Sequence, residues 1–162
     1  CGLRLGEVQS LTLDGLRLDP SPGALPRLSV IGKGNVERSV FIAPFALAPL
    51  REWLRQRPCV VVPEVFLSRH NAAFSTTSIR RLLDRACARA GVRFTCHQLR
   101  HAFARVLAEQ GVPVTTIQVL LGHRHLESTQ VYLHVSDPVA MASYDAAMRQ
   151  VAHLIPLSDS RP

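Results

Sequence analysis

Two β-branched runs, Leu28-Ser29-Val30-Ile31 and Arg38-Ser39-Val40-Phe41-Ile42, flank the turn-prone Gly32-Lys33-Gly34-Asn35, and this pairing constrains the fold most. Strand-forming residues on both sides of a Gly/Asn-rich turn specify a β-hairpin, with Lys33 at or near its tip. Most other apolar residues recur with a helical period. Leu47, Leu50, Trp53 and Leu54 share one face of a helix that Pro44 begins and Pro58 stops. Over 78–90, Ile79, Leu82, Leu83 and Ala86 are expected inward, Arg80, Arg81, Arg85 and Arg89 outward, and Gly91 ends the helix. A first helix carries Leu3, Val8 and Leu11. Residues 14–23 read as a loop, and Val65-Phe66-Leu67 as a short strand.

Thr95 and Gln98 make a capping-box pattern, which puts His97 and Arg100 in the first turn of the next helix. Leu99, Phe103, Val106 and Leu107 are its expected core face, with His97 and Arg100 opposite. Gly111 closes it. A further helix opens at Pro113 and ends at Gly122, and Ser128 can cap a short turn carrying Tyr132. Asp137-Pro138 starts the last helix, whose stripe is Met141, Tyr144, Met148 and Val151. The expected fold is α+β and mainly α-helical, with a small antiparallel β-sheet. At 162 residues the chain suits one domain. We read that domain over 1–153 and a disordered tail over 154–162.

The formal net charge of +7 favours a polyanionic partner, nucleic acid before an acidic membrane surface. Eighteen of the nineteen basic side chains are arginine, and the single lysine, Lys33, sits between two glycines. A guanidinium is effectively never deprotonated, whereas an ammonium can be tuned to release a proton. Cys1, Cys59, Cys87 and Cys96 show neither a CxxC pair nor metal-like spacing, so a reduced, cytoplasmic protein is expected. No apolar run is long enough to span a membrane.

His97 and Arg100 lie three apart at a helix N-terminus, where free N–H groups and the helix dipole favour an anion. His123 follows a helix-ending glycine. Tyr132 lies nine residues further on, and Tyr144, in an apolar stripe, reads as core. With Arg4 and Lys33, these side chains make a set able to attack a phosphodiester without a metal.

The combination is more specific than its members. His97-x-x-Arg100, then Leu121-Gly122-His123, then Tyr132 resembles the signature of the tyrosine recombinases, the phage-integrase family. Residues 1–11 resemble the helix bearing the family's first arginine, here Arg4, with Glu7 as its acidic neighbour. Gly32-Lys33-Gly34-Asn35-x-Glu37-Arg38 resembles the family's hairpin lysine motif. The resemblance implies that Tyr132 attacks a DNA phosphate to form a 3′-phosphotyrosyl link and release a 5′-hydroxyl. Arg4 and Arg100 would hold the non-bridging oxygens, and Lys33 would protonate the leaving oxygen. His97 would act near the tyrosine as base or donor, and His123 would bond the phosphate. It further implies a double-stranded DNA partner, a homo-oligomer on DNA, and no metal or other cofactor. The helices and the DNA-clamping domain that precede Arg4 in the family do not precede it here, so the chain reads as an N-terminally truncated catalytic domain.

Two alternatives are weighed against this. One is a truncated recombinase remnant that binds DNA without turnover. The other is a metalloprotein built on His97, His101, His123, His125 or His134. His97 and His101 have the i, i+4 spacing of a helical zinc pair, but Gln98 stands where His-Glu-x-x-His requires glutamate. From charge alone, Arg80, Arg81 and Arg85 are expected to contact backbone phosphates.

Overall fold

A computed structural model of the chain describes residues 1–32, 36–122 and 138–154. The hairpin forms as expected. β2 (Arg27–Gly32) pairs antiparallel with β3 (Val36–Phe41), Leu28 opposite Val40 and Val30 opposite Arg38. A two-residue strand, β1 (Leu16–Arg17), adds to β2, giving the order β1-β2-β3. Residues 14–23 are therefore not wholly a loop. Two residues carry too little local preference to announce a strand, and it is the pairing with β2 that makes one. The 65–67 run departs the other way: isolated bridges, Thr12 with Glu64 and Leu67 with Ala73, replace the expected strand.

Among the described residues there are six α-helices: α1 (Leu5–Gln9), α2 (Pro44–Gln56), α3 (Thr76–Ala90), α4 (Cys96–Glu109), α5 (Val114–Leu121) and α6 (Pro138–Leu154). α1 is shorter than expected and leaves Leu3 and Leu11 outside it, because Arg4 is extended at its start and the Leu11 carbonyl pairs with the Val65 N–H; the others follow the apolar spacing. α3 starts two residues before 78 because the Ser75 hydroxyl accepts the Ser78 N–H and caps it. Thr95 and Gln98 form the expected capping box on α4. Gly91 and Gly122 end α3 and α5 in the left-handed conformation that glycine adopts without steric cost. α6 reaches Leu154, one residue into the stretch read as a tail. The rest of that tail lies outside the described residues.

Two cores flank β3, and the strand's twofold alternation divides its side chains between them. Val40 and the following Ile42 join Leu11, Leu28, Val30 and Val65 in one core. Phe41 joins Leu107, Leu120, Leu121, Tyr144 and Met148 in the other. The architecture is the mainly helical α+β fold with a small antiparallel sheet that the sequence implies. α3 is the exception to dense packing. It rests on α1, and Leu82, expected inward, is 44% exposed; Ala86 is exposed too. Leu99, assigned to the α4 core face, is likewise half exposed.

Candidate active site

Arg100 is not on the solvent side of α4. It is buried on the face it shares with Phe103 and Leu107, where Gly2 and the end of α5 meet it. Its Nη1 donates to the Gly2 carbonyl at 2.6 Å and its Nη2 to the Leu121 carbonyl. Burial pulls its pKa down to about 10, aided by the charges of Arg4 and Arg38 and opposed by Glu7. The guanidinium remains a cation near neutrality, held in a place that favours a neighbouring anion.

That neighbourhood is organised by Glu7, a buried carboxylate in the middle of the short helix α1. Glu7 Oε2 accepts the Arg4 main-chain N–H at 2.7 Å, and Oε1 accepts from Arg4 Nη1 at 3.0 Å. The Arg38 guanidinium meets the same two oxygens, Nη2 to Oε2 at 2.8 Å and Nε to Oε1 at 3.3 Å. Burial alone would raise the Glu7 pKa. The bonds from Arg38 and Arg4, with the Arg38 charge, outweigh it and hold the carboxyl below its ordinary value.

The same three arginines converge on the end of α5. Its last carbonyls have no helical partners and carry the negative end of the helix dipole. Leu120 O accepts from Arg38 Nη1 at 2.7 Å, Leu121 O from Arg100, and Gly122 O from Arg4 Nη2 at 3.2 Å. Three consecutive carbonyls are thus met by three different guanidiniums. Arg4 and Arg38 share the Glu7 carboxylate and Arg100 bonds only main-chain carbonyls, so three guanidiniums beside one carboxylate leave the cluster with an excess of two positive charges.

Arg4, His97 and Arg100, from two separate stretches of sequence, line a single cavity of about 480 Å³. Leu3, Leu83 and Phe94 form part of its apolar wall. Arg80 lines it too, so α3 contributes a cation to the same space; Arg81 and Arg85 are exposed and do not line it. His97 is exposed, and its Nε2 lies 2.7 Å from Nε2 of His101, one ring donating and the other accepting. Among the described residues no group of three or more His, Cys, Asp or Glu is placed to hold a metal ion. Lys33, His123 and Tyr132 lie outside the described residues. Tyr144 is buried, its hydroxyl bonded to a main-chain carbonyl, and burial with the nearby Asp145 charge pushes its pKa upward. It belongs to the core, as its place in the stripe indicates.

The sequence reading gave Arg38 no role. A cation in a strand of otherwise alternating polarity was the available signal, but its partners lie 31 and 82 residues away.

Such a fold, with arginines from the start of α1 and from α4 facing one cavity, is that of the catalytic domains of tyrosine recombinases. The phage integrase family profile matches residues 1–138, and the chain belongs to that family. It is 36% identical over 153 residues to tyrosine recombinase XerC of Alcanivorax borkumensis, covering 91% of this chain and 48% of the relative. Against tyrosine recombinase XerD of Lacticaseibacillus casei it is 37% identical over 150 residues, covering 88% and 50%. The chain thus spans about half the length of the curated relatives it matches. Among solved structures it resembles the XerA recombinase, with a TM-score of 0.70 at 28% identity, covering 99% of this chain and 55% of that one. It also resembles the XerH site-specific recombinase bound to its difH substrate in a pre-cleavage complex, with a TM-score of 0.65 at 26% identity, covering 84% and 40%. Among the described residues no helix is long and apolar enough to cross a membrane.

Proposed function

We propose that residues 1–153 are the DNA-cleaving domain of a site-specific recombinase that breaks and rejoins double-stranded DNA through a 3′-phosphotyrosyl intermediate. The observation that carries this reading is the cationic cluster at the cavity. Arg4, Arg80 and Arg100 line one space in which Asp84 is the one carboxylate, so positive charge is in excess there. A phosphodiester supplies the missing anion, and fixed guanidiniums favour the extra charge that develops on its non-bridging oxygens during displacement. Family membership and the recombinase names of the relatives support the same reading.

In this mechanism Tyr132 Oη attacks phosphorus and loses its proton, assisted by His97. The P–O5′ bond breaks, Lys33 gives a proton to the departing oxygen, and a 5′-hydroxyl leaves. Arg4 and Arg100 hold the non-bridging oxygens, with a further bond from His123. The phosphotyrosyl ester conserves the bond energy, so a 5′-hydroxyl can reverse the step without ATP or a metal. Arg80, at the cavity wall, and Arg81 and Arg85 on the same helix bind flanking phosphates. The protein acts in the cytoplasm, as a homo-oligomer on its DNA site.

The deciding experiment incubates the intact protein with nicked duplexes drawn from DNA flanking its gene, beside a Tyr132→Phe variant. The expected result is a denaturation-resistant protein–DNA adduct that the variant lacks. An adduct persisting in Tyr132→Phe would reject the assigned nucleophile. Tight DNA binding with no adduct from either protein would favour the non-catalytic remnant.

A further inference from the structure

We propose that Arg38 is a positioning residue for strand cleavage, locking Arg4 and Arg100 into register by tying α1 to the end of α5. This rests on the functional reading above. Arg38 does not line the cavity, so it acts through its partners rather than on substrate.

Its geometry distinguishes it from a surface ion pair. The Arg38 side chain is 10% exposed and its Glu7 partner 3% exposed. One edge of the guanidinium, Nε and Nη2, lies along the Glu7 carboxylate, and the third nitrogen reaches Leu120 O. Glu7 in turn holds Arg4 by its main chain and its side chain. The α5 turn that Arg38 grips continues through the carbonyls of Leu121 and Gly122, which take bonds from Arg100 and Arg4. Arg38 therefore joins, through one planar group, the carboxylate that orients the first arginine and the helix end that both arginines touch. From that end the chain leads directly to His123. An ammonium cannot reproduce this, because lysine lacks the rigid fork that meets a carboxylate and a carbonyl together.

Gly122 approaches the same group from the other side. A Cβ there would meet Arg38 Cδ at 2.5 Å and Nε at 2.8 Å, and the residue has φ +66°. Space at Gly122 is reserved for the Arg38 side chain. Gly122→Ala thus displaces the guanidinium while leaving every charge in place, and it also strains the left-handed turn whose carbonyl takes the Arg4 bond.

The test compares wild type, Arg38→Met, Arg38→Lys and Gly122→Ala in the intact protein on the same nicked duplexes. It measures adduct formation under single turnover, DNA affinity, melting temperature, and amide exchange over 5–9 and 119–122. A displacement of phosphate-binding groups by about 1 Å costs up to roughly 100-fold in rate. The expected pattern is a loss of about tenfold to 100-fold in the rate at saturating DNA for Arg38→Met. Affinity should stay within about threefold, and exchange should be faster in both segments. Arg38→Lys should fall between, and Gly122→Ala should reproduce the rate loss. An Arg38→Met rate equal to wild type, or unchanged exchange in both segments, overturns the proposal. A loss of rate that only follows loss of folding or affinity also overturns it, by reducing Arg38 to a structural role. Should Arg38→Met fail to fold, Arg38→Lys decides: a normal rate refutes the proposal, and a lowered rate at preserved affinity with faster exchange in both segments upholds it. With no adduct from wild type the functional reading falls, and the exchange data alone decide whether Arg38 holds α1 against α5.

Discussion

The Tyr144 hydroxyl donates to the main-chain carbonyl of Phe41 at 3.1 Å, joining the final helix to the end of β3 across 103 residues. Their rings also meet, with centroids 5.3 Å apart. This tyrosine is a structural tie. Tyr144→Phe should keep the ring packing and leave the carbonyl unpaired, costing about 1–2 kcal/mol. Urea unfolding should show that loss while adduct formation on DNA stays at the wild-type level. Abolished adduct formation in a folded Tyr144→Phe protein would contradict its assignment to the core.

Glu7 makes stability depend on pH in a defined direction. Its folded pKa lies below the ordinary 4.5, so the unfolded chain takes up this proton more readily than the folded one. The stabilisation is complete above the ordinary carboxylate pKa and is lost as pH falls through the lower folded-state value. Glu7→Gln should cost about 3 kcal/mol at pH 7, because it leaves Arg38 buried without its counter-charge. Unfolding free energies of the two proteins, followed downward from pH 7, should converge in the acid range. A gap that stays constant to the acid limit would show that the carboxylate charge is not what Arg38 requires.

Gly2 has φ +61°, and a Cβ there would meet Phe103 Cδ1 at 2.5 Å. Its carbonyl also receives Arg100 Nη1. Gly2→Ala combines left-handed strain with overpacking, so a destabilisation of roughly 2–4 kcal/mol is expected. Because the Arg100 bond is disturbed as well, adduct formation should fall even at a temperature where the variant stays folded. A thermal melt paired with single-turnover cleavage separates the two effects.

Arg80 and Arg81 are neighbours in sequence with different surroundings. Arg80 lines the cavity that Arg4 and Arg100 face, and Arg81 does not. Arg80→Ala should reduce the slope of log affinity against log salt by about one and slow cleavage. Arg81→Ala should alter the slope by no more than that while sparing the rate. Equal effects of the two on cleavage would remove Arg80 from the site.

What could be read in the sequence follows the range of the forces involved. The hairpin, the capped start of α4 and the glycine ends of α3 and α5 are local, and their residue types announce them. Membership of the family was legible because its motif keeps fixed spacings around His97 and Gly122. The buried state of Arg100 was not. A polar residue three positions from His97 suggests a shared wet face, and only the position of Gly2 and of the α5 end turns it inward. β1 and the role of Arg38 were hidden for the same reason, since each is defined by partners distant in the chain.

The gathering of three guanidiniums at the last turn of α5 also has a bearing on how the protein is made. Its members come from positions 4, 38, 100 and 120–122, so almost every contact closes a long loop. A nascent chain that has built its hairpin and α4 still lacks the carbonyls around which the arginines assemble. Until α5 emerges, Glu7 can join Arg4 to Arg38, but the helix end that gathers all three guanidiniums is missing. Synthesis order thereby delays the cluster: it is complete only once residue 122 has left the ribosome.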